Sequence, residues 1–316
     1  MSHSHPGFFD YFFILRPILF YPGWSTMLAG YFIAGRQTFN ALMVSDARVN
    51  YPLLGLLMIS FAMLMGSAFV LNQLRDIESD QHNKKLFFIA DGVIPASHAL
   101  VEVIILAVTA TGLAFLVDPV IGVAYLLFFV LTGILYNYSP FRLKDRPWGS
   151  LTANALMGAI TFAIGWLARY PLEMHLFLDM IPYLLFNTAL YFFTTFPDME
   201  GDRAAGKKTL AVIFGHERII TVSFVLYVTG LICVVLLKDF QAAVFYILSL
   251  PFFITTIRKR TIADCIRTTK FGILFFALSI CLSWPLYLGV MVAGYFGTRL
   301  YFRKRFNLNY PNFRGG

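Results

Sequence analysis

Residues 52–80 read PLLGLLMISFAMLMGSAFVLNQLRDIESD, an apolar run that ends in an acidic cluster. The apolar part, 52–74, is long enough to cross a bilayer, because a spanning helix needs about 20 largely apolar residues. At its end, Asn72, Asp76 and Asp80 stand four residues apart. On a helix this spacing aligns the three oxygen-bearing side chains in one stripe over two turns. The stretch therefore predicts a membrane helix with an oxygen-rich end.

The composition of the whole chain agrees with a membrane protein. Of its 316 residues, 58% are hydrophobic and only 13% are charged, with a mean hydropathy of +0.70. This is about half the charge of an ordinary soluble domain, which excludes a water-soluble enzyme and a disordered chain. The 3 cysteines lack a C-x-x-C spacing, which excludes a disulfide scaffold. We expect a single all-α integral membrane domain over residues 1–316, with no removable signal peptide.

Nine segments have the length and hydropathy of membrane helices. They are 11–34, 52–74, 98–117, 119–138, 149–169, 179–197, 211–237, 240–257 and 271–297. Nine crossings place the N-terminus and every second loop on one side, which then carries 16 of the 25 Lys and Arg residues. We expect this side to be cytoplasmic. The basic tail, 299–316, falls on the other side, so either a late tail is tolerated or the count is off by one near the C-terminus.

A second acidic cluster, PDMEGDR at 197–203, follows the sixth segment and again places two carboxylates, Asp198 and Asp202, at i, i+4. Both clusters end on the same face of the membrane. Like charges at this spacing repel, so a cation should offset them. Hard oxygen ligands from two facing helices suit Mg²⁺, which shares its coordination shell with substrate phosphates. The clusters therefore indicate a metal-bridged diphosphate, the alternative being charged loops that only mark the membrane boundary.

Basic residues interleaved with the two clusters are candidates to bind the same phosphates. They are Arg75, Lys84, Lys85, Arg203, Lys207 and Lys208. The excess of basic residues, a net charge of +8, is otherwise explained by retention of loops in the cytoplasm. Nucleic acid is therefore not an expected partner.

These motifs resemble those of the UbiA superfamily of intramembrane prenyltransferases. The resemblance rests on N-x-x-x-D-x-x-x-D at 72–80, D-x-E-G-D-R-x-x-G-x-x-T-L at 198–210, YSPFRLK at 138–144 and the Arg16-Pro17 pair. It implies a nine-helix bundle with a central cavity that opens sideways to lipid. The motif loops, 72–95 and 198–216, would close this cavity on the cytoplasmic side.

The resemblance also implies roles for individual residues. The implied metal ligands, with Mg²⁺ as cofactor, are Asn72, Asp76, Asp80, Asp198 and Asp202. The implied contacts to the isoprenoid diphosphate and the reacting chain are Arg16, Tyr138, Arg142, Lys144, Arg203 and Lys207. Some positions depart from the common pattern, among them Gln73, Phe87-Phe88 and Thr194-Thr195, and they leave the acceptor open.

The function implied is transfer of an isoprenoid group from a polyprenyl diphosphate to a lipophilic, aromatic acceptor, as in quinone biosynthesis. The expected setting is a multi-pass protein of a bacterial or archaeal plasma membrane. Within enzymes, the alternative acceptor is a non-aromatic lipid or a tetrapyrrole alcohol. A secondary transporter is the alternative from another class, but its key carboxylates should lie near mid-membrane, on broken helices. Donor length and oligomeric state stay open.

Overall fold

A computed structural model describes residues 6–39, 49–83, 87–197, 199–204 and 209–311 of the chain. Within these ranges the chain is helical and contains no strand. The α-helices are α1 (Phe8–Phe13), α2 (Phe20–Phe39), α3 (Tyr51–Arg75), α4 (Ile77–Asn83), α5 (Phe87–Ala90), α6 (Ala96–Val117), α7 (Pro119–Phe129), α8 (Pro147–Leu167), α9 (Met174–Thr194), α10 (Met199–Ala204), α11 (Leu210–Leu237), α12 (Phe240–Lys259), α13 (Ile262–Ser283) and α14 (Leu286–Phe306).

Seven of the described helices are long and apolar enough to cross a membrane, and 119–135 forms a shorter apolar segment. The seven are α3, α6, α8, α9, α11, α12 and α13. The predicted class, an all-α multi-pass membrane protein, is confirmed. The count of nine spans is not.

Small residues allow the helices to approach closely, as is usual in membrane bundles. A Cβ on Gly30 of α2 would collide with the carbonyl oxygen of Phe162, and one on Gly165 of α8 with that of Met27. The two backbones therefore pack directly on each other. This pair of helices forms one wall of the space described below.

Aromatic side chains fill the opposite part of the bundle, between α9, α11, α12 and α13. Phe186 packs against Phe245 with ring centroids 4.6 Å apart, and Tyr227 stacks on Phe253 at 3.9 Å. The Tyr246 hydroxyl donates to the carbonyl oxygen of Pro182 at 2.8 Å. The open space lies on the other side of α9 and α13, toward α2, α3 and α8.

The C-terminal region differs from the sequence-based division. The predicted segment 271–297 is divided, because α13 ends at Ser283 and α14 begins after the Trp284-Pro285 junction. Proline has no N–H to continue a helix but is well suited to start one. From there α14 runs beside the N-terminal helices. Near its start the Tyr287 hydroxyl lies 3.0 Å from that of Ser25, and near its end the Arg305 guanidinium pairs with the Asp10 carboxylate at 2.9 Å. The tail predicted from residue 299 thus begins as helix.

Candidate active site

The first acidic cluster lies at the end of α3, where a lysine from another loop joins it. The Lys144 ammonium donates hydrogen bonds to both carboxylate oxygens of Asp76, at 2.7 Å and 2.6 Å. It also donates to Asn72 Oδ1 at 3.2 Å. The Lys144 side chain is only 14% exposed and that of Asp76 is 28% exposed. We call this end of the bundle, formed by Asn72, Asp76 and Lys144, the motif face. The sequence-based analysis selected all three residues, and the structure brings them together.

The predicted stripe does not continue as one helix to Asp80. Helix α3 ends at Arg75, the backbone departs from helical geometry at Asp76, and α4 starts at Ile77. Asp80 is buried, with 8% of its surface exposed, and lies close enough to Arg16 for their charges to interact. The bend thus separates the three oxygen-bearing side chains that a straight helix would align. Asn72 and Asp76 share one cation, while Asp80 faces another.

Arg16 occupies the turn between α1 and α2 in a left-handed conformation, with φ at 59°. Burial lowers the pKa of its guanidinium, and the nearby Tyr310 and Asp80 oppose this. Gln73 holds the preceding residues in place, because its amide donates to the carbonyl oxygen of Ile14 at 2.9 Å. Gln73, one of the positions that depart from the pattern of the motifs, therefore joins α3 to the N-terminal segment.

The segment that carries Lys144 begins with a π-helical turn at Val130–Leu135, an irregularity that frequently marks functional sites. Asn137 closes the turn by donating to the carbonyl oxygens of Thr132 at 2.9 Å and Gly133 at 3.1 Å. The Tyr138 hydroxyl lies 3.5 Å from the carbonyl oxygen of Leu71. Burial raises the pKa of the Tyr138 phenol above its ordinary value.

Arg142 lies in the same segment but points its charge elsewhere. Its backbone is left-handed, with φ at 40°, and its guanidinium pairs with Asp145 at 3.0 Å. Of the two cations that the resemblance assigns to the diphosphate in this loop, only Lys144 contacts the first acidic cluster in the structure.

The second acidic cluster is described in part. Asp202 lies half-buried on the short helix α10, and Arg203, beside it, is exposed. Asp198 and Lys207 lie outside the described residues. Among the residues that are described, no three His, Cys, Asp or Glu side chains come together as a metal site. The Asn72 and Asp76 oxygens nevertheless fit Mg²⁺ in kind, since they are hard ligands already gathered around one cation.

A cavity of about 470 Å³ opens below the motif face. Asn72 and Arg16 line its mouth, and helices α2, α3, α8, α9 and α13 contribute to its wall. Its lining side chains with polar groups are Arg16, Thr26, Asn72, Thr132, Tyr136, Asn137, Asn154, Asn187, Tyr191, Thr194 and Thr269. The volume lies in the range of pockets that hold a drug-sized ligand. Asn72 of the motif face therefore also lines the cavity, so the two are continuous.

Several of these lining residues escaped the sequence-based selection, notably Asn137, Asn154 and Asn187. They lie outside the acidic and basic motifs from which the site residues were predicted. The available signal was their position, since Asn154 and Asn187 lie inside predicted spans 149–169 and 179–197, where amides are rarer and commonly form contacts.

Comparison with known proteins assigns this architecture. Residues 23–267 match the model of the UbiA prenyltransferase family. The chain is 30% identical over 197 residues to digeranylgeranylglyceryl phosphate synthase of Halobacterium salinarum, covering 62% of this chain and 69% of that protein.

It is 29% identical over 90 residues to 1,4-dihydroxy-2-naphthoate octaprenyltransferase of Bacillus subtilis, covering 28% of this chain and 29% of that protein. The match thus spans less than a third of that relative's length. Among solved structures, a UbiA homolog from Archaeoglobus fulgidus bound to GPP and Mg²⁺ has the same fold, with a TM-score of 0.66 and 19% identity over 87% of this chain and 99% of that chain.

Proposed function

Because this chain belongs to the UbiA prenyltransferase family, we propose that it is a Mg²⁺-dependent intramembrane prenyltransferase. It transfers an isoprenoid group from a polyprenyl diphosphate to a lipophilic, aromatic acceptor, as in quinone biosynthesis. The relative bound to GPP and Mg²⁺ supports both the donor class and the metal. The motif face lies toward the cytoplasm in this proposal.

One observation carries the proposal: hard oxygens and cations meet at the mouth of a membrane cavity. Asn72 and Asp76 both accept hydrogen bonds from the Lys144 ammonium, and the charges of Arg16 and Asp80 interact with each other. Ionisable groups at this depth are costly and usually functional. A diphosphate bound here would extend its chain into the cavity and away from water.

The residues present suggest how the reaction proceeds. Asn72 and Asp76, with Asp80, Asp198 and Asp202, would hold Mg²⁺, which when bound stabilises negative charge on phosphate oxygens. Lys144 and Arg16 donate hydrogen bonds to the diphosphate as its C–O bond breaks and the electron pair leaves with it. The acceptor then bonds to the allylic carbon, and its proton leaves with the diphosphate. The surrounding helices exclude water that would otherwise capture the cation.

The size of the cavity favours a one- or two-ring aromatic acceptor. About 470 Å³ holds a drug-sized ligand, and a tetrapyrrole together with an isoprenoid chain is larger than that. The alternative acceptor is a lipid alcohol, which the relationship to a glyceryl phosphate synthase favours. Product analysis separates these two, because the first product absorbs in the ultraviolet and the second does not.

The proposal is tested with purified protein, radiolabelled geranyl, farnesyl and geranylgeranyl diphosphates, and a mixed set of aromatic and lipid-alcohol acceptors. We expect label in one product with Mg²⁺ and none with EDTA. Transfer that is equal in both conditions would contradict the metal dependence. If folded protein showed neither donor binding nor transfer, the enzymatic function itself would be contradicted.

A further inference from the structure

Below the mouth of the cavity lies a layer of neutral amide side chains, which we call the amide layer: Asn137, Asn154 and Asn187. Asn154 is seven residues into α8 from the motif face, and Asn187 is seven residues before the end of α9. At 1.5 Å per residue both lie about 10 Å below the motif face. Three different parts of the chain thus place amides in the same cavity.

The hydrogen-bonding capacity of this layer is not used up by the protein. Asn137 is fully buried and donates to two carbonyl oxygens, but its Oδ1 accepts no hydrogen bond from a described residue. Asn187 donates to Thr26 Oγ1 at 3.3 Å, which uses one N–H and leaves its carbonyl oxygen. Asn154 lines the cavity without a hydrogen bond to the described chain. Asn154 and Asn187 are half-buried, so their unused amide groups are accessible from the cavity and would form hydrogen bonds with a ligand that carries hydroxyl groups.

The charge of the cavity limits what that ligand is. Among the described lining residues, Arg16 alone carries a charge, and it lies at the mouth with Asn72. A carboxylate or phosphate in the amide layer would therefore be buried about 10 Å from the motif face without a cation, at a high desolvation cost. A hydrocarbon without hydroxyl groups would leave the amides unpaired.

We propose that the acceptor is an uncharged, hydroxyl-bearing molecule whose polar groups bind the amide layer and whose reactive atom faces the motif face. The inference rests on the proposed prenyl transfer and deepens it by naming the acceptor class. The allylic C–O bond breaks, a C–C or C–O bond to the acceptor forms, and the acceptor's proton leaves with the diphosphate. No oxidant or reductant is needed.

Two matched acceptor pairs test the charge of the acceptor. One is 1,4-naphthalenediol against 1,4-dihydroxy-2-naphthoate, and the other is a single-tail glycerol ether against its phosphate. With geranyl diphosphate and Mg²⁺, we expect kcat/KM for the neutral member of a pair to exceed that of its anionic partner about a hundredfold. Equal use of the two, or preference for the anion, overturns the inference.

Variants locate the acceptor contacts. We expect Asn154→Leu and Asn187→Leu to raise KM for the neutral acceptor about tenfold each, with a donor Kd within about twofold of wild type. Thr26→Val and Thr221→Val form a matched pair. Each removes a hydroxyl that donates a hydrogen bond to the backbone carbonyl oxygen four residues earlier, that of Pro22 and that of Glu217 respectively. Only Thr26→Val, at the layer, should raise the acceptor KM. Unchanged acceptor KM in the three cavity variants overturns the assignment.

Donor binding separates this inference from the function it rests on. Mg²⁺-dependent binding of geranyl diphosphate, measured without acceptor, reports on the motif face alone. Its loss in wild-type protein contradicts the prenyltransferase proposal. If the donor binds but the anionic acceptor is used as well as the neutral one or better, only the proposed role of the amide layer is contradicted.

Discussion

Lys144 contacts both oxygen-bearing side chains of the motif face. Its ammonium neutralises the Asp76 carboxylate and donates a hydrogen bond to Asn72 Oδ1, in a site that is largely shielded from water. A divalent cation bound to these oxygens would compete with the ammonium. Lys144 would then be available to the diphosphate, and the same loop would serve both states.

Replacing Asp76 tests its role directly. We expect Asp76→Asn to lower kcat by about a hundredfold or more, because one carboxylate of the proposed metal site is lost while the shape of the side chain is kept. Glu78→Gln, an exposed acid two residues away, is the matched control and should keep near wild-type activity. Asp202→Asn should behave as Asp76→Asn, with exposed Glu200→Gln as its control. Full turnover in Asp76→Asn or Asp202→Asn would remove that residue from the metal site.

Lys144→Met separates the two roles of the lysine. The donor KM should rise about tenfold, because a charged hydrogen bond to the diphosphate is lost. The Mg²⁺ concentration for half-maximal activity should fall, since the competing ammonium is gone. Lys259→Met, at the exposed end of α12, controls for loss of a positive charge. A rise in the Mg²⁺ requirement would mean that Lys144 supports the metal instead of competing with it.

At this scale the sequence predicted the charged residues better than their arrangement. Asn72 and Asp76 could be predicted from their spacing at the end of an apolar run, and Lys144 from the resemblance of YSPFRLK at 138–144 to a family motif. The separation of Asp80 could not, because nothing in the i, i+4 spacing shows that α3 stops at Arg75. The pairing of Arg142 with Asp145 depends on a left-handed backbone that the sequence also leaves open.

Among the elements, α1 and α14 are joined by a buried network centred on Asp10. Its carboxylate accepts hydrogen bonds from Tyr301, from Arg305 at 2.9 Å and from the Gly7 N–H at 2.7 Å. Burial alone would raise the pKa of Asp10, but the hydrogen bonds from Tyr301 and Arg305 outweigh it and hold the pKa below its ordinary 3.8. This network holds the two ends of the described chain together.

Asp10→Asn should destabilise the protein without touching the motif face. We expect a loss of about 1–3 kcal/mol and a lower unfolding temperature in detergent, because Arg305 loses its charged acceptor. Because the pKa of Asp10 is lower in the folded state, its ionised carboxylate stabilises the folded protein above pH 3.8. This stabilisation is lost as the pH falls from 3.8 through the folded-state pKa. The stability of Asp10→Asn should lack this pH dependence. Glu217→Gln, which breaks the exposed pair with Arg260, should change little. Equal unfolding temperatures for Asp10→Asn and wild type would show that the network carries no stability.

The sequence predicted most of the long helices but not every point at which one helix ends and the next begins. Segments such as 52–74 and 211–237 correspond closely to α3 and α11, because loops interrupt the apolar pattern on both sides. The junction at Trp284-Pro285 lies inside a continuous apolar run, so hydropathy did not reveal it. The contact between Tyr287 and Ser25 shows that α14 runs back along the N-terminal helices. Because these two residues are far apart in sequence, a local pattern could not predict this contact.

For the whole molecule, the return of α14 explains the basic tail. Arg303, Lys304 and Arg305 form its last turn, beside α1, and Phe302 packs on Phe88 next to the first motif loop. These charges therefore lie at the motif face, with the loops that carry most of the Lys and Arg. We predict that α14 is an additional crossing, which would place the basic tail on the side that carries most of the Lys and Arg residues.

Site-specific labelling tests this topology. In a background without Cys233, Cys265 and Cys281, single Glu78→Cys, Leu308→Cys and Leu172→Cys variants place thiols at exposed positions. In oriented vesicles, a membrane-impermeant maleimide should label positions 78 and 308 from one side and 172 from the other. Labelling of 308 together with 172 would reverse the direction of α14.

Binding of the donor to the motif face tests the central claim most directly. The measurement is calorimetric titration of geranyl thiolodiphosphate, which resists ionisation, into purified protein with Mg²⁺ or with EDTA. We predict saturable binding with Mg²⁺ that disappears with EDTA and in Asp76→Asn and persists in Glu78→Gln. Binding of equal strength in all four conditions would contradict a metal-bridged diphosphate at Asn72 and Asp76.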